Sequence, residues 1–111
     1  MPKVPVQFCI DSFEYKEKTG ENNYSEPIYG ESTTVSNCRI DRGSEYTSAT
    51  SGKQLLYNAV VFCYNGITTP LPGFKVESVI RFDGQDYTVT KVIPIYEAFR
   101  PVIYSYEIEV V

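Results

Sequence analysis

The segment Val79–Val92, VIRFDGQDYTVTKV, constrains the fold of this chain more than any other. Apolar residues take alternate positions on both sides of Asp83-Gly84, and glycine supplies the positive φ of a tight turn, so two strands fold back on each other here. Taking Asp83–Asp86 as the connection puts Phe82 opposite Tyr87 and Ile80 opposite Val89, with Arg81 near Thr88 on the other face. Register and hydrophobic pattern then agree on one buried face. The two carboxylates of the turn do not make a calcium loop, because the further oxygen ligands and the late glutamate at fixed spacing are missing.

The same period of two recurs near residues 6–16, 34–42, 54–64, 76–83, 86–96 and 102–110, between clusters of Gly, Pro, Asn, Asp and Ser. Ten tyrosines and six phenylalanines, with many Val, Ile and Thr, favour strands over helices. The fold class expected is all-β, a small antiparallel β-barrel or sandwich of about six strands in one domain spanning residues 1–111. At the C-terminus Val102, Tyr104, Tyr106, Ile108 and Val110 alternate with Ser105, Glu107 and Glu109, the pattern of a half-buried strand. Pro94 and Pro101 bracket IYEAFR, which reads as an edge or a crossover. Near the N-terminus Val6, Phe8 and Ile10 run in one phase and Phe13 and Tyr15 in the other, so a bulge is expected between Ile10 and Phe13. Lys18–Ser32 and Arg42–Lys53 are polar and rich in turn formers, and they read as two long loops of the kind that carry function.

Leu55–Asn65, LLYNAVVFCYN, poses a question of its own. A helix would fit Leu55, Leu56, Ala59, Val60 and Cys63, but Tyr57, Val60, Val61, Phe62 and Tyr64 are β-branched or aromatic and Asn65-Gly66 closes the run like a turn. As a strand it has two apolar faces. A small barrel takes only one of them inside, and the other needs a loop or another polypeptide over it.

Charge and chemistry exclude several classes. With 14 acidic and 10 basic residues the net charge is −4 and no Lys/Arg cluster exists, so tight nonspecific phosphate clamping is not expected. The three cysteines have no C-x-x-C spacing and sit in apolar runs, which suggests buried thiols in a reducing compartment. No run approaches the length of a membrane span. Histidine is absent, which removes Ser-His-Asp and Cys-His arrangements, and TSGKQ lacks the preceding glycine of a phosphate loop. Glu107 and Glu109 share an outward strand face, as solvated carboxylates do. The expectation is a protein without catalytic, cofactor or metal site.

The series NCRIDRGSEY, GKQLLYNAVVFCYNG, LPGFKVESVIRFDGQDYTVTKVIPIYEAF and YSYEIEVV, from about Asn37 to the C-terminus, resembles the minor capsid protein family of tailed phages of Gram-positive bacteria. The hairpin that enters a D-G turn and leaves as Y-T-V is also similar to siphophage head-closure (stopper) and head-tail joining proteins. The resemblance implies a small β-barrel at the virion head-tail junction, assembled in the host cytoplasm as a homo-oligomeric ring. Its neighbours would be a portal or adaptor protein above and a tail protein below, and double-stranded DNA would pass without sequence-specific binding. Tyr57, Ala59, Val61 and Cys63 are the expected subunit-interface patch, with Tyr24, Tyr29, Tyr46 or Tyr96 as further aromatic contacts. The expected channel or partner loop is Arg42–Lys53, with Arg42, Gly43, Ser44, Glu45, Tyr46 and Lys53 as its residues. Two alternatives stand beside this: a small β-sandwich binding module for carbohydrate or protein, and a tail-completion or tail-terminator protein.

Overall fold

A computed structural model describes the backbone of residues 6–49, 52–71 and 73–111, and the side chains of all of these but 6, 45–49 and 53–56. Among the described residues there is no α-helix. A short 3-10 turn at Val6–Phe8 precedes β1 (Asp11–Lys16), β2 (Lys18–Glu21), β3 (Pro27–Tyr29), β4 (Thr33–Asp41) and β5 (Glu45–Ala49). Then come β6 (Gly52–Tyr57), β7 (Ala59–Tyr64), β8 (Val79–Phe82), β9 (Gln85–Tyr96) and β10 (Ile103–Val110). Six of these strands close into an antiparallel barrel in the order β1-β4-β7-β10-β9-β8. The remaining four form two separate ribbons, β2 with β3 and β5 with β6.

The hairpin of Val79–Val92 forms, with a tighter turn than the pattern suggested. Phe82 pairs with Gln85, Arg81 with Asp86, Ile80 with Tyr87 and Val79 with Thr88. Only Asp83 and Gly84 lie in the turn, at φ 53° and 74°, the two positive values that a two-residue type I′ hairpin requires. The expected register was therefore off by two residues. A shift of two keeps every side chain on its face, so Ile80, Phe82 and Val89 still point inward. The rings of Phe82 and Tyr87 become diagonal neighbours, stacked at 4.4 Å.

The two expected loops are ribbons. Lys18–Ser32 holds β2 and β3, closed by Asn22, whose Oδ1 accepts the Tyr24 and Glu26 amides at 2.8 and 3.0 Å. Arg42–Lys53 holds β5 and the first two residues of its partner β6. Leu55–Asn65 is extended, but a bend at Asn58 divides it, leaving β6 in a ribbon and β7 in the barrel wall. Because one ribbon is inserted before β4 and the other after it, they leave opposite ends of this nine-residue strand, about 30 Å apart at the rise of an extended chain.

The expected N-terminal bulge exists on the other strand of the pair. Asp11 aligns with Cys38 and Ser12 with Ser36, so the extra residue is Asn37 of β4, held at φ 61°. This is why Val35 and Cys38, three apart, both point inward. From Cys9, just before β1, through Phe13 and Tyr15 within it, burial runs in a single phase, while Phe8 and Ile10, expected inside, are exposed. Pro94 lies within β9, opposite Tyr106 of β10. Val89 still exchanges backbone hydrogen bonds with Glu77 and Ser78, and from Thr90 onward β9 pairs, among the described residues, with β10 alone. That stretch is the edge which the proline foretold.

The core consists of Phe13, Tyr15, Val35, Cys38, Ile40, Ala59, Val61, Cys63, Phe74, Ile80, Phe82, Val89, Ile108 and Val110. Fully burying each of the larger aliphatic side chains contributes about 1.5–3 kcal/mol. Phe74 arrives from the connection between β7 and β8 and stops one end of the barrel, its ring 6.2 Å from Phe13, 5.1 Å from Tyr15 and 5.8 Å from Tyr106. Polar groups in that connection are matched. Thr68 Oγ1 accepts the Tyr64 amide at 2.9 Å and donates to the Asn37 carbonyl at 2.9 Å.

Candidate functional site

The closed barrel decides which row of β7 faces out. Ala59, Val61 and Cys63 are 2%, 0% and 0% exposed and lie inside, so the expected interface patch is corrected: these three are core. Tyr57, the fourth, is half-buried on β6, outside the barrel wall. The physical reason is size. A six-stranded barrel encloses a narrow interior, which takes the small side chains of β7 and leaves Val60, Phe62 and Tyr64 on the outside.

These outward residues are half-buried, and neighbouring strands supply the cover. One cross-strand row runs Arg39, Phe62, Glu107, Ile93 over β4, β7, β10 and β9; the next runs Asp41, Val60, Glu109, Lys91. The Arg39 guanidinium lies over the Phe62 ring, 5.0 Å from its centroid. Tyr64 meets Tyr104 edge to face at 6.1 Å, beside the irregular step between Ile103 and Ser105. Burial raises the Tyr64 hydroxyl above the ordinary tyrosine range. The surface thus presents large apolar groups bracketed by charges of both signs. Sequence reading chose the wrong row because both rows are apolar; barrel radius is the signal that separates them.

Each ribbon is tied to the barrel by a cation at its base. Arg42, just before β5, donates from Nε to Asp83 Oδ2 at 2.6 Å and from Nη2 to Asp83 Oδ1 at 3.2 Å and Asp11 Oδ1 at 3.2 Å. The other oxygen of Asp11 accepts the Ile40 amide at 3.0 Å, and the Arg42 guanidinium stands 5.7 Å from the Phe82 ring centroid. One fork thereby joins β1, the end of β4 and the β8–β9 turn. It holds the Asp83 carboxyl below the usual range and its own proton more tightly. Of the other expected loop residues, Gly43 donates its amide to Asp41 Oδ1 at 3.1 Å and Ser44 is exposed. Glu45, Tyr46 and Lys53 are placed by register, opposite Tyr57, Leu55 and Ser48, and their side chains lie outside the described residues.

At the β2 base Lys18 Nζ reaches Glu77 Oε2 at 2.6 Å and Glu21 Oε1 at 3.2 Å. Its amide donates to Ser78 Oγ at 3.0 Å, which also accepts from the Tyr15 hydroxyl at 3.3 Å, while the Lys75 amide donates to Tyr15 Oη at 2.9 Å. The ribbon itself exposes Tyr24, Ile28 and Tyr29, and Tyr96 is exposed at the end of β9.

Cys9, Cys38 and Cys63 are free and buried. Burial pushes the Cys38 thiol up to about 12 and Cys63 further, so neither is a thiolate near neutral pH. Among the described residues no group of three or more His, Cys, Asp or Glu side chains is arranged to hold a metal ion.

Together these features define a class, a closed six-stranded antiparallel β-barrel with two ribbon insertions and a mixed apolar and charged outer face. Residues 5–110 match the family model described as minor capsid protein. Uncharacterized protein ORF5 of Lactococcus phage LL-H is 21% identical over 114 residues, covering 97% of each chain. Uncharacterized protein ORF5 of Lactococcus phage mv4 is 22% identical over 95 residues, covering 80% of this chain and 84% of the relative. The chain belongs to the minor capsid protein family and is a structural component of a phage virion.

Proposed function

We propose that this virion protein stands at the head-tail junction, where copies form a ring that closes or extends the connector around passing double-stranded DNA. Its mechanism is assembly without chemistry. The observation that carries the reading is the placement of two ribbons at opposite ends of β4, which gives each barrel an arm toward each of two neighbouring layers, a portal or adaptor protein and a tail protein. The β5–β6 ribbon is the channel or partner arm.

The outer row of β7 supplies the contact between copies. In a ring each subunit offers one patch to a different patch of the next, and Phe62 between Arg39 and Glu107 combines an aromatic centre with charges that fix orientation. A net charge of −4 suits a channel wall that must let the duplex slide, since a basic lining would hold it.

Removing the gene tests the reading. Heads that lose DNA or gain no tails are the expected outcome, and filled, normally tailed particles would overturn it. Tails of irregular length would point instead to the tail-completion role. Phe62→Glu sharpens the interface: the variant should fold as a monomer with an unchanged circular dichroism spectrum and yet be missing from particles. Its normal incorporation would place the ring contact elsewhere.

A further inference from the structure

Between β9 and β10 the chain turns through Glu97–Arg100, closed by the Arg100 amide donating to the Glu97 carbonyl at 3.4 Å and the Glu97 amide donating to the Val102 carbonyl at 2.8 Å. Phe99 holds the third position of this turn at φ 66°. Glycine or asparagine is the usual occupant of a positive φ there, because a β-carbon crowds the backbone. The side chain does nothing to offset that strain. Phe99 is 104% exposed, and no ring of the described residues packs against it. Nearby on the same connection stand Tyr96, 57% exposed, and Arg100, which makes no ion pair among the described residues.

A large apolar side chain held away from the body, on a backbone that disfavours it, has no use in the isolated fold. Aromatics and arginine are enriched at the centres of protein interfaces. The turn joins β9 to β10 at the barrel end from which the β2–β3 ribbon leaves, the end turned toward a neighbouring layer in the reading above, so a different protein meets this ring there and not a sister copy. The geometry points to Phe99 as an anchor that inserts into an apolar socket, rimmed by acidic groups facing Arg100, on a virion protein different from this one. This deepens the assembly reading above, and it rests on that reading for which end of the barrel faces a neighbouring layer.

The test compares Phe99→Ala, which deletes the ring and keeps a β-carbon, with Phe99→Gly, which also relieves the backbone. In the purified protein Phe99→Ala should leave the melting midpoint unchanged, and Phe99→Gly should raise it by about 4 °C. In particles purified from phage carrying either variant, the protein should fall about tenfold, the size expected for one aromatic anchor. A photoreactive phenylalanine at position 99 should cross-link in wild-type-like particles to a single different virion protein, at a peptide identified by mass spectrometry. Unreduced incorporation of Phe99→Ala, a lowered midpoint for either variant, a cross-link to a second copy, or none at all would each overturn the anchor. A cross-link to a protein far from the junction would leave the anchor standing and overturn the junction instead.

Discussion

The two ribbon bases solve one problem by different physics. At the β2–β3 base the barrel end is stopped by Phe74 against Phe13, Tyr15 and Tyr106, and buried hydroxyls of Tyr15 and Ser78 receive the backbone of the crossing chain. The β5–β6 base is held chiefly by charge, with the Arg42 fork between Asp83 and Asp11. Dry packing is insensitive to salt and pH, whereas an exposed ion-paired fork is sensitive to both. One arm is therefore bolted and the other is tied.

The largest effect should come from Phe74→Ala, which empties the stopper and costs about 3 kcal/mol in urea unfolding. If the midpoint barely moves, the bolted end is not the stronger one. Tyr15→Phe comes next, at about 1–2 kcal/mol, because the Lys75 amide loses its acceptor and the Ser78 hydroxyl its donor. Arg42→Gln should cost less, and the difference from wild type should nearly vanish in about 1 M salt. It should also flatten acid unfolding. The fork lowers the Asp83 carboxyl below its ordinary 3.8, so its stabilisation is full above that value and is lost as pH falls through the lowered one. A wild-type pH profile in the variant would break the comparison. Lys18→Met should shift the midpoint least, since its partners Glu77 and Glu21 are largely exposed. At neutral pH all three thiols should resist alkylation until unfolding, and labelling of Cys38 or Cys63 in the folded protein would show that the barrel opens.

How much of this is legible in sequence depends on whether a segment has one buried face. The all-β class, the D-G hairpin and the inward row Tyr106, Ile108, Val110 follow from strict alternation over a core. The ribbons escaped because neither face of β2 or β3 is buried, so no period of two is imposed and turn formers read as loop. Asn58 looked like one more strand position; only its neighbours show that β6 leaves the wall there. The hairpin register slipped by two because apolar pairing fits either alignment, and the type I′ preference of Asp-Gly was the finer clue. In β7 alternation gave both rows and not their direction, which depends on how much volume six strands enclose. Nor does any local pattern mark Phe99, whose meaning rests on backbone angle and exposure together.

Pro94 has a consequence beyond the barrel. From Thr90 to Tyr96 one flank of β9 has no neighbouring strand among the described residues, the kind of border to which stray extended chains add and from which fibrils grow. A residue with no amide hydrogen in the middle of that border breaks the row of donors, so a subunit waiting unassembled at high concentration keeps its open flank from templating its own precipitation.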